Sequence, residues 1–410
     1  MYATMKAAVL RGKEDLRVEQ VRLPKAGPGE LVVRVDAALT CGTDLKVFRR
    51  GYHAKMLTKD RLFGHEVAGT VVEVGEGVAE FKVGERVVPM NSAPCDECFY
   101  CEQGQQNLCD DLLFNNGAYA EYMRVPERIV RKNTLRIPEG MRAEHAALTE
   151  PLACVLRGLE ESGAKVGHSS QQAPSPTNKF VGDPGAGRGP RGHHPSQQAG
   201  RGPRGQTAIV LGAGPIGLLF IHAAAIEGLH VIAVVKRTDQ VQTARLFGAE
   251  QVVRIADVED PVAAAKALTP GGRGADLVFE AVATPEAWQW AVHMVRKGGV
   301  VNWFAGPPAG TEVTLDTNVI HYSDLTLKAS FHHTPGTVRQ AFEMIASGRF
   351  NADAFLTGTA SLEDVPQVFE RMLTRPAEGT APEIKTVIYP HRRAEEMKRA
   401  GAAELVGERR

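Results

Sequence analysis

The sequence predicts an α/β protein of two domains, a small barrel-like domain of short strands followed by a doubly wound parallel sheet. Three observations carry this prediction. Short Val- and Ala-rich runs separated by Gly and Pro turns fill the chain up to Pro89. A compact apolar strand, Thr207 to Leu211, runs straight into a glycine-rich turn and a helix. Beyond it, strands and helices alternate in the βαβ rhythm of a parallel sheet. A length of 410 residues also suits two domains.

The elements follow in order. Lys6 to Leu10, Leu31 to Val35, Val67 to Val74 and Arg86 to Pro89 read as strands, punctuated by turns such as Gly27-Pro28-Gly29 and Gly75-Glu76-Gly77. From Ala143 the pattern becomes helical, with Leu148, Leu152, Val155 and Leu159 spaced by three and four. After Gly212 a helix runs to Glu227. Strands at Val231 to Val235, Leu277 to Glu280 and Val300 to Phe304 alternate with helices, and Val338 to Ile388 mixes helices with a last strand.

Two segments break the rhythm. Gly167 to Gly205 is rich in Gly, Pro, Ser, Gln and Arg, and contains Ala-Gly-Arg-Gly-Pro-Arg-Gly twice, from Ala186 and from Ala199. Such a composition buries too little apolar surface to offset ordering costs of about 1–2 kcal/mol per residue, so a disordered surface loop is expected. His391 to Arg410 mixes Arg and Lys with Glu and is expected to form an exposed helix.

Charge and composition exclude several classes. With 48 basic and 48 acidic residues the chain is neutral, unlike a protein built around phosphate neutralisation. The Arg-Gly repeats could bind a single strand electrostatically, but no aromatic residues are interleaved with their arginines to form a stacking platform. No nucleic-acid partner is therefore expected. No run approaches ~18 apolar residues and no secretory signal opens the chain, so a cytoplasmic protein without membrane contact is expected. Six cysteines are too few for a disulfide scaffold, and their spacing reads as chemistry.

Cys95-x-x-Cys98-x-x-Cys101 followed by Cys109 can wrap one tetrahedral Zn²⁺ in an all-sulfur shell. Such a closed shell leaves no open position, which makes the site structural. A second set is dispersed: Cys41-Gly42-Thr43-Asp44 follows a strand, Gly64-His65-Glu66 precedes another, and Thr149-Glu150-Pro151 opens a helix. A thiolate, an imidazole and a carboxylate can hold a metal with one open position. On spacing alone, separate structural roles for this Cys, His and Glu stay open. Third, Gly212-Ala213-Gly214-Pro215-Ile216-Gly217, between strand and helix, lets a dinucleotide pyrophosphate approach the helix N-terminus.

Taken together, Gly64-His65-Glu66-x-x-Gly69 with Gly75 six residues on, the Cys41 segment, the four-cysteine lobe and the Gly212 turn resemble the zinc-dependent medium-chain alcohol dehydrogenases. The resemblance covers Met5 to Pro390 apart from the 167–205 loop. Glu150, in a Glu-Pro pair, looks like the polyol (sorbitol) and threonine dehydrogenase branch. The implied architecture is a GroES-like β-barrel catalytic domain, residues 1–155 with a structural-zinc lobe at 92–112, completed by 332–390. A Rossmann nucleotide-binding domain would take 156–331, interrupted by the 167–205 insert, with a charged tail at 391–410.

The resemblance also implies roles. Cys41, His65 and Glu150 hold a catalytic zinc, with Glu66 as an exchangeable ligand or a carboxylate behind the shell, and Cys95, Cys98, Cys101 and Cys109 hold a second, structural zinc. A zinc-bound secondary alcohol loses its proton through Thr43, and the resulting alkoxide passes hydride to the nicotinamide, while Asp44 orients the ligand shell. The substrate is a polyol, cyclitol or sugar type of alcohol. The alternatives are an amino-alcohol oxidation of the threonine type and a catalytically silent dinucleotide-binding protein, although the latter predicts gaps in the ligand set that this sequence lacks. A homo-oligomer, dimer or tetramer, is implied as well.

Two positions depart from the family pattern. Many relatives carry a relay His five residues after the zinc Cys, and Lys46 stands there, either part of an altered relay or a solvated lysine. The position of the NAD-binding Asp at the end of the second Rossmann strand is Val235, followed by Lys236 and Arg237. Loss of the carboxylate and gain of cations favour NADP over NAD, with Asp239 nearby leaving NAD open. Val282 and Gly306 lie beyond strand ends where the dinucleotide is expected. Cys154, one turn after Glu150, either faces the metal or packs as a small thiol. His53, His332 and His333 are candidates for substrate or nicotinamide contact, against the alternative of packed or solvated histidines.

Overall fold

The computed structural model describes residues 2–53, 57, 61–164, 205–374 and 383–392. The 167–205 insert, except Gly205, and the tail beyond Arg392 lie outside the described residues, and with them the expectations of a disordered loop and an exposed helix.

Two sheets organise the chain. The first has seven strands, in the order Leu356–Ser361, Lys385–Tyr389, Leu31–Leu39, Glu66–Val74, Arg86–Pro89 and Thr134–Arg136, with Tyr122–Val125 also pairing with Leu31–Leu39. Residues near the C-terminus thus complete a sheet begun near the N-terminus. The expected strand at Lys6 to Leu10 extends over Thr4–Gly12 and pairs with Asp15–Arg22 in a separate antiparallel hairpin. That partner, in which Leu16 alone is buried, carries too little apolar pattern to be read from sequence.

The second sheet is wholly parallel, in the order Gln251–Arg254, His230–Val235, Thr207–Leu211, Ala275–Glu280, Val295–Trp303 and Thr326–Ala329. Its order reverses between Thr207–Leu211 and Ala275–Glu280, the point at which an open α/β sheet opens a crevice for ligand. The glycine turn leaves the C-terminal end of Thr207–Leu211, as the sequence predicts.

The helix Thr149–Glu161 joins the two halves. Its Leu152, Leu156 and Leu159 are fully buried in one apolar cluster with Leu39 and Ala68 of the first sheet and Leu218 and Ile221 of the helix after the glycine turn. Burial of a leucine contributes about 1.5–3 kcal/mol, so this helix ties the halves together and fixes its first residues, Glu150 among them, at the seam.

Candidate active site

Backbone register assembles the first group of donors. Leu39 lies opposite Glu66 in the antiparallel pair, which brings Cys41, just past one strand, beside His65, just before the other. Cys41 caps the helix Gly42–Arg50, and its thiol accepts a hydrogen bond from the Thr43 amide at 3.4 Å. His65 Nδ1 lies 2.9 Å from Asp44 Oδ1, and the Tyr119 hydroxyl donates to Asp44 Oδ2 at 2.7 Å. This carboxylate fixes the imidazole so that Nε2 is the nitrogen left for a ligand. One donor atom from each of Cys41, His65 and Glu66 lies within 4.8 Å of the others, and all three residues are buried.

Lys385, which sequence analysis missed, stands behind this group. Its Nζ donates to both Glu66 oxygens at 2.7 and 2.6 Å and to the Thr40 carbonyl at 3.0 Å, and both side chains are sealed from solvent. Burial works to lower the Lys385 pKa, but the Glu66 carboxylate outweighs it and holds the ammonium charged above its ordinary value.

Glu150 falls in a second group. Asn91 donates from Nδ2 to Glu150 Oε1 at 2.9 Å, and His333 Nε2 lies 2.9 Å from Asn91 Oδ1. Burial pushes the Glu150 carboxyl up to about 7. Donor atoms of Glu150, Cys154 and His332 lie within 4.8 Å of one another. Cys41, His65, Glu150, Cys154 and His332 line one cavity of about 430 Å³, which also takes in Thr43, Lys46 and His53, whereas Glu66 lies behind its wall against Lys385. His333 is not on its wall; it packs behind Asn91, with burial holding its pKa well below the ordinary value. Lys46 is exposed and reaches across to donate to the Gly306 carbonyl at 3.2 Å.

The same cavity continues to the glycine turn, where Gly214, Pro215, Ile216, Val282 and Gly306 form its wall. Gly212 has φ +97°, and a Cβ on Gly217 would lie 2.0 Å from the Gly212 carbonyl oxygen, so the turn closes only with glycine at both positions. A Cβ on Gly214 would meet open space at the N-terminus of the helix Pro215–Ile226, the place of approach for a pyrophosphate. Beyond it lies a crevice of about 700 Å³ lined by Val235, Lys236, Arg237 and Arg254. Arg237 pairs with Asp239 through two bonds of 2.8 and 2.9 Å, which neutralises the carboxylate that could repel a phosphate there. Arg254 had no sequence signal, because its strand, Gln251–Arg254, is short and only partly buried.

The four-cysteine lobe is assembled as its spacing predicts. One sulfur from each of Cys95, Cys98, Cys101 and Cys109 lies within 4.8 Å of the others, and all are free thiols. The Cys95 amide donates to Cys109 Sγ at 3.2 Å and the Asp110 amide to Cys98 Sγ at 3.5 Å. The Cys101 and Asp110 amides lower the Cys98 pKa to about 7, favouring the thiolate that a metal requires. The donor chemistry fits a closed tetrahedral zinc site. At the cavity, thiol, imidazole and carboxylate donors facing open space fit a zinc with room for substrate.

Comparison with known proteins agrees with this chemistry. Residues 27–138 match the alcohol dehydrogenase GroES-like domain and residues 215–347 the zinc-binding dehydrogenase domain, together more than half of the chain. The chain belongs to the zinc-dependent medium-chain alcohol dehydrogenases, and is an oxidoreductase that uses zinc and a nicotinamide cofactor on a small-molecule alcohol. It is 27% identical over 395 residues to sorbitol dehydrogenase of Bacillus subtilis, covering 95% of this chain and 98% of that one. It is 29% identical to L-threonine 3-dehydrogenase of Bacillus licheniformis, covering 91% and 96%. Among solved structures it resembles a protein described as a zinc-binding dehydrogenase from Sinorhizobium meliloti bound to NADP, with TM-score 0.76, 28% identity and coverage of 95% and 100%. Among the described residues no helix is long and apolar enough to cross a membrane.

Proposed function

We propose that the chain oxidises a secondary alcohol of polyol, cyclitol or sugar type, with NADP preferred over NAD and two zinc ions per subunit. One observation carries this reading: a single cavity joins the donors Cys41, His65 and Glu150, with Glu66 directly behind them, to the glycine turn of a dinucleotide crevice. The identity to sorbitol dehydrogenase supports the substrate class, and Lys236, Arg237 and Arg254 around the crevice support a 2′-phosphate.

Cys41, His65, Glu66 and Glu150 would hold the catalytic zinc, whose Lewis acidity lowers the pKa of a substrate hydroxyl. The glycine turn, Val282 and Gly306 would hold the nicotinamide cofactor, which would supply the hydride acceptor. The chain's own residues prepare these events. Thr43, on the cavity wall beside Cys41 and open to solvent, takes the hydroxyl proton and passes it outward to water. Asp44 holds the His65 tautomer, Asn91 orients Glu150, and Lys46 anchors this helix to the Gly306 loop across the cleft. Cys95, Cys98, Cys101 and Cys109 would hold the second, structural zinc.

The test is a screen of zinc-loaded protein against polyols, inositols and threonine with NADP and with NAD, following absorbance of reduced nicotinamide. Higher catalytic efficiency with a polyol-type alcohol and NADP is expected. Exclusive oxidation of threonine, or a clear preference for NAD, would overturn the corresponding half of the proposal.

A further inference from the structure

We propose that Glu150, Cys154 and His332 form a second station for the cavity metal, which a single zinc-type ion occupies in exchange with the Cys41–His65–Glu66 station. This rests on the reading that the cavity binds zinc. Three features of the molecule lead to it.

First, the donors of the site fall into two clusters. Glu150 groups with Cys154 and His332, with one donor atom from each within 4.8 Å of the others. A thiolate, an imidazole and a carboxylate are a complete set for a tetrahedral zinc with one open position. Second, the cluster is built into rigid supports. Glu150 and Cys154 stand one turn apart on the buried helix Thr149–Glu161, where residues four apart share a face. Asn91 ties one oxygen of the nine-tenths-buried Glu150, and Ser92 Oγ lies 2.5 Å from His332 Nε2. Third, His332 holds a left-handed backbone, φ +62°, which a residue with a Cβ adopts at a cost, and from it the side chain lines the cavity.

One ion shared between the stations follows from the charges. Two dications in one small cavity would repel strongly, whereas a single ion can exchange one thiolate, one imidazole and one carboxylate for another such set. At the first station Glu66 is held by Lys385 through both oxygens, which weakens it as a ligand. Glu150, by contrast, is in no direct ion pair among the described residues, and Lys385 acts on it only through space.

The experiment uses full-length protein with zinc kept in the four-cysteine lobe and Co²⁺ placed in the cavity, reading the near-ultraviolet thiolate-to-cobalt band. Wild type should take one cavity Co²⁺ per chain. Cys41→Ser should still bind Co²⁺ and show a thiolate band, because Cys154 supplies the sulfur, and Cys41→Ser/Cys154→Ser should lose the band. Placing His332→Ala in the Cys41→Ser background should weaken Co²⁺ binding at least tenfold, a second reading that does not depend on replacing Cys154. Absence of cavity Co²⁺ from wild type would overturn the zinc reading and this inference together. Wild-type binding with no thiolate band in a folded Cys41→Ser variant would overturn the second station alone.

Discussion

Lys385 and Glu66, 319 residues apart in sequence, form an ion pair wholly sealed from solvent at the back of the active-site cavity. The pair joins the strand near the C-terminus to the strand that carries the His65–Glu66 corner. A charge in such a place is tolerated only with its partner, since the cost of desolvating one ion alone is several kcal/mol.

Removing the ammonium should therefore cost stability. Lys385→Met is expected to lower the unfolding free energy by about 3–5 kcal/mol, read from urea denaturation, because it strands the Glu66 carboxylate. Lys385→Met/Glu66→Gln should recover more than half of that loss, because the stranded charge is gone. If the double variant were as unstable as the single, packing of the lysine stem rather than its charge would be the source.

Asp44 acts on the metal through His65. Asp44→Asn keeps the shape but replaces the acceptor that holds the Nδ1 proton, and the expected result is a 10–100-fold weaker zinc affinity in chelator competition. Tyr119→Phe removes a donor to the other Asp44 oxygen and should have a smaller effect in the same direction.

Much of this site was legible in the sequence because its parts are local. The Cys41 and His65 corners, the four-cysteine lobe and the glycine turn are each fixed by a short run whose backbone geometry is determined nearby. What escaped depends on residues far apart in the chain. Lys385 has no motif, and only the pairing of Lys385–Tyr389 with Leu31–Leu39 brings it to Glu66. Asn91 is likewise 59 residues from Glu150, and Arg254 reaches the crevice only through the register of a short edge strand. In the fold, the apolar strands were readable and Asp15–Arg22 was not, since only its Leu16 is buried and no period-2 pattern results.

Burial keeps His332 and His333 neutral. The His332 pKa is lowered to about 3 and that of His333 falls well below its ordinary value of 6.5, in both cases chiefly by loss of solvent. Below pH 6.5 the unfolded chain binds protons that the native chain refuses, so stability rises with pH in this range. The contribution is complete above 6.5 and is lost as pH falls toward 3. Urea unfolding of metal-depleted protein between pH 7 and 5 should show a decline approaching about 1.4 kcal/mol per pH unit for each histidine. His333→Asn should flatten it, and an unchanged slope would show that other groups carry the acid sensitivity.

Cofactor choice should turn on the exposed side of the crevice rather than on its buried end. Val235 is sealed within the sheet, and a carboxylate introduced there would face desolvation before it met any ribose. Lys236 is exposed on the crevice rim, while Arg237 is committed to Asp239 and Arg254 bonds Asp257 and Thr238. Lys236 is thus the cation most able to reorient toward a 2′-phosphate. Lys236→Ala should lower catalytic efficiency with NADP by about tenfold, the worth of one charge-assisted contact, and leave NAD nearly unchanged. Lys236→Glu should go further, because its carboxylate repels the phosphate and can accept from a ribose hydroxyl. Equal losses with both cofactors would mean that Lys236 contacts the part of the dinucleotide they share, and the basis of discrimination would then lie with Arg254.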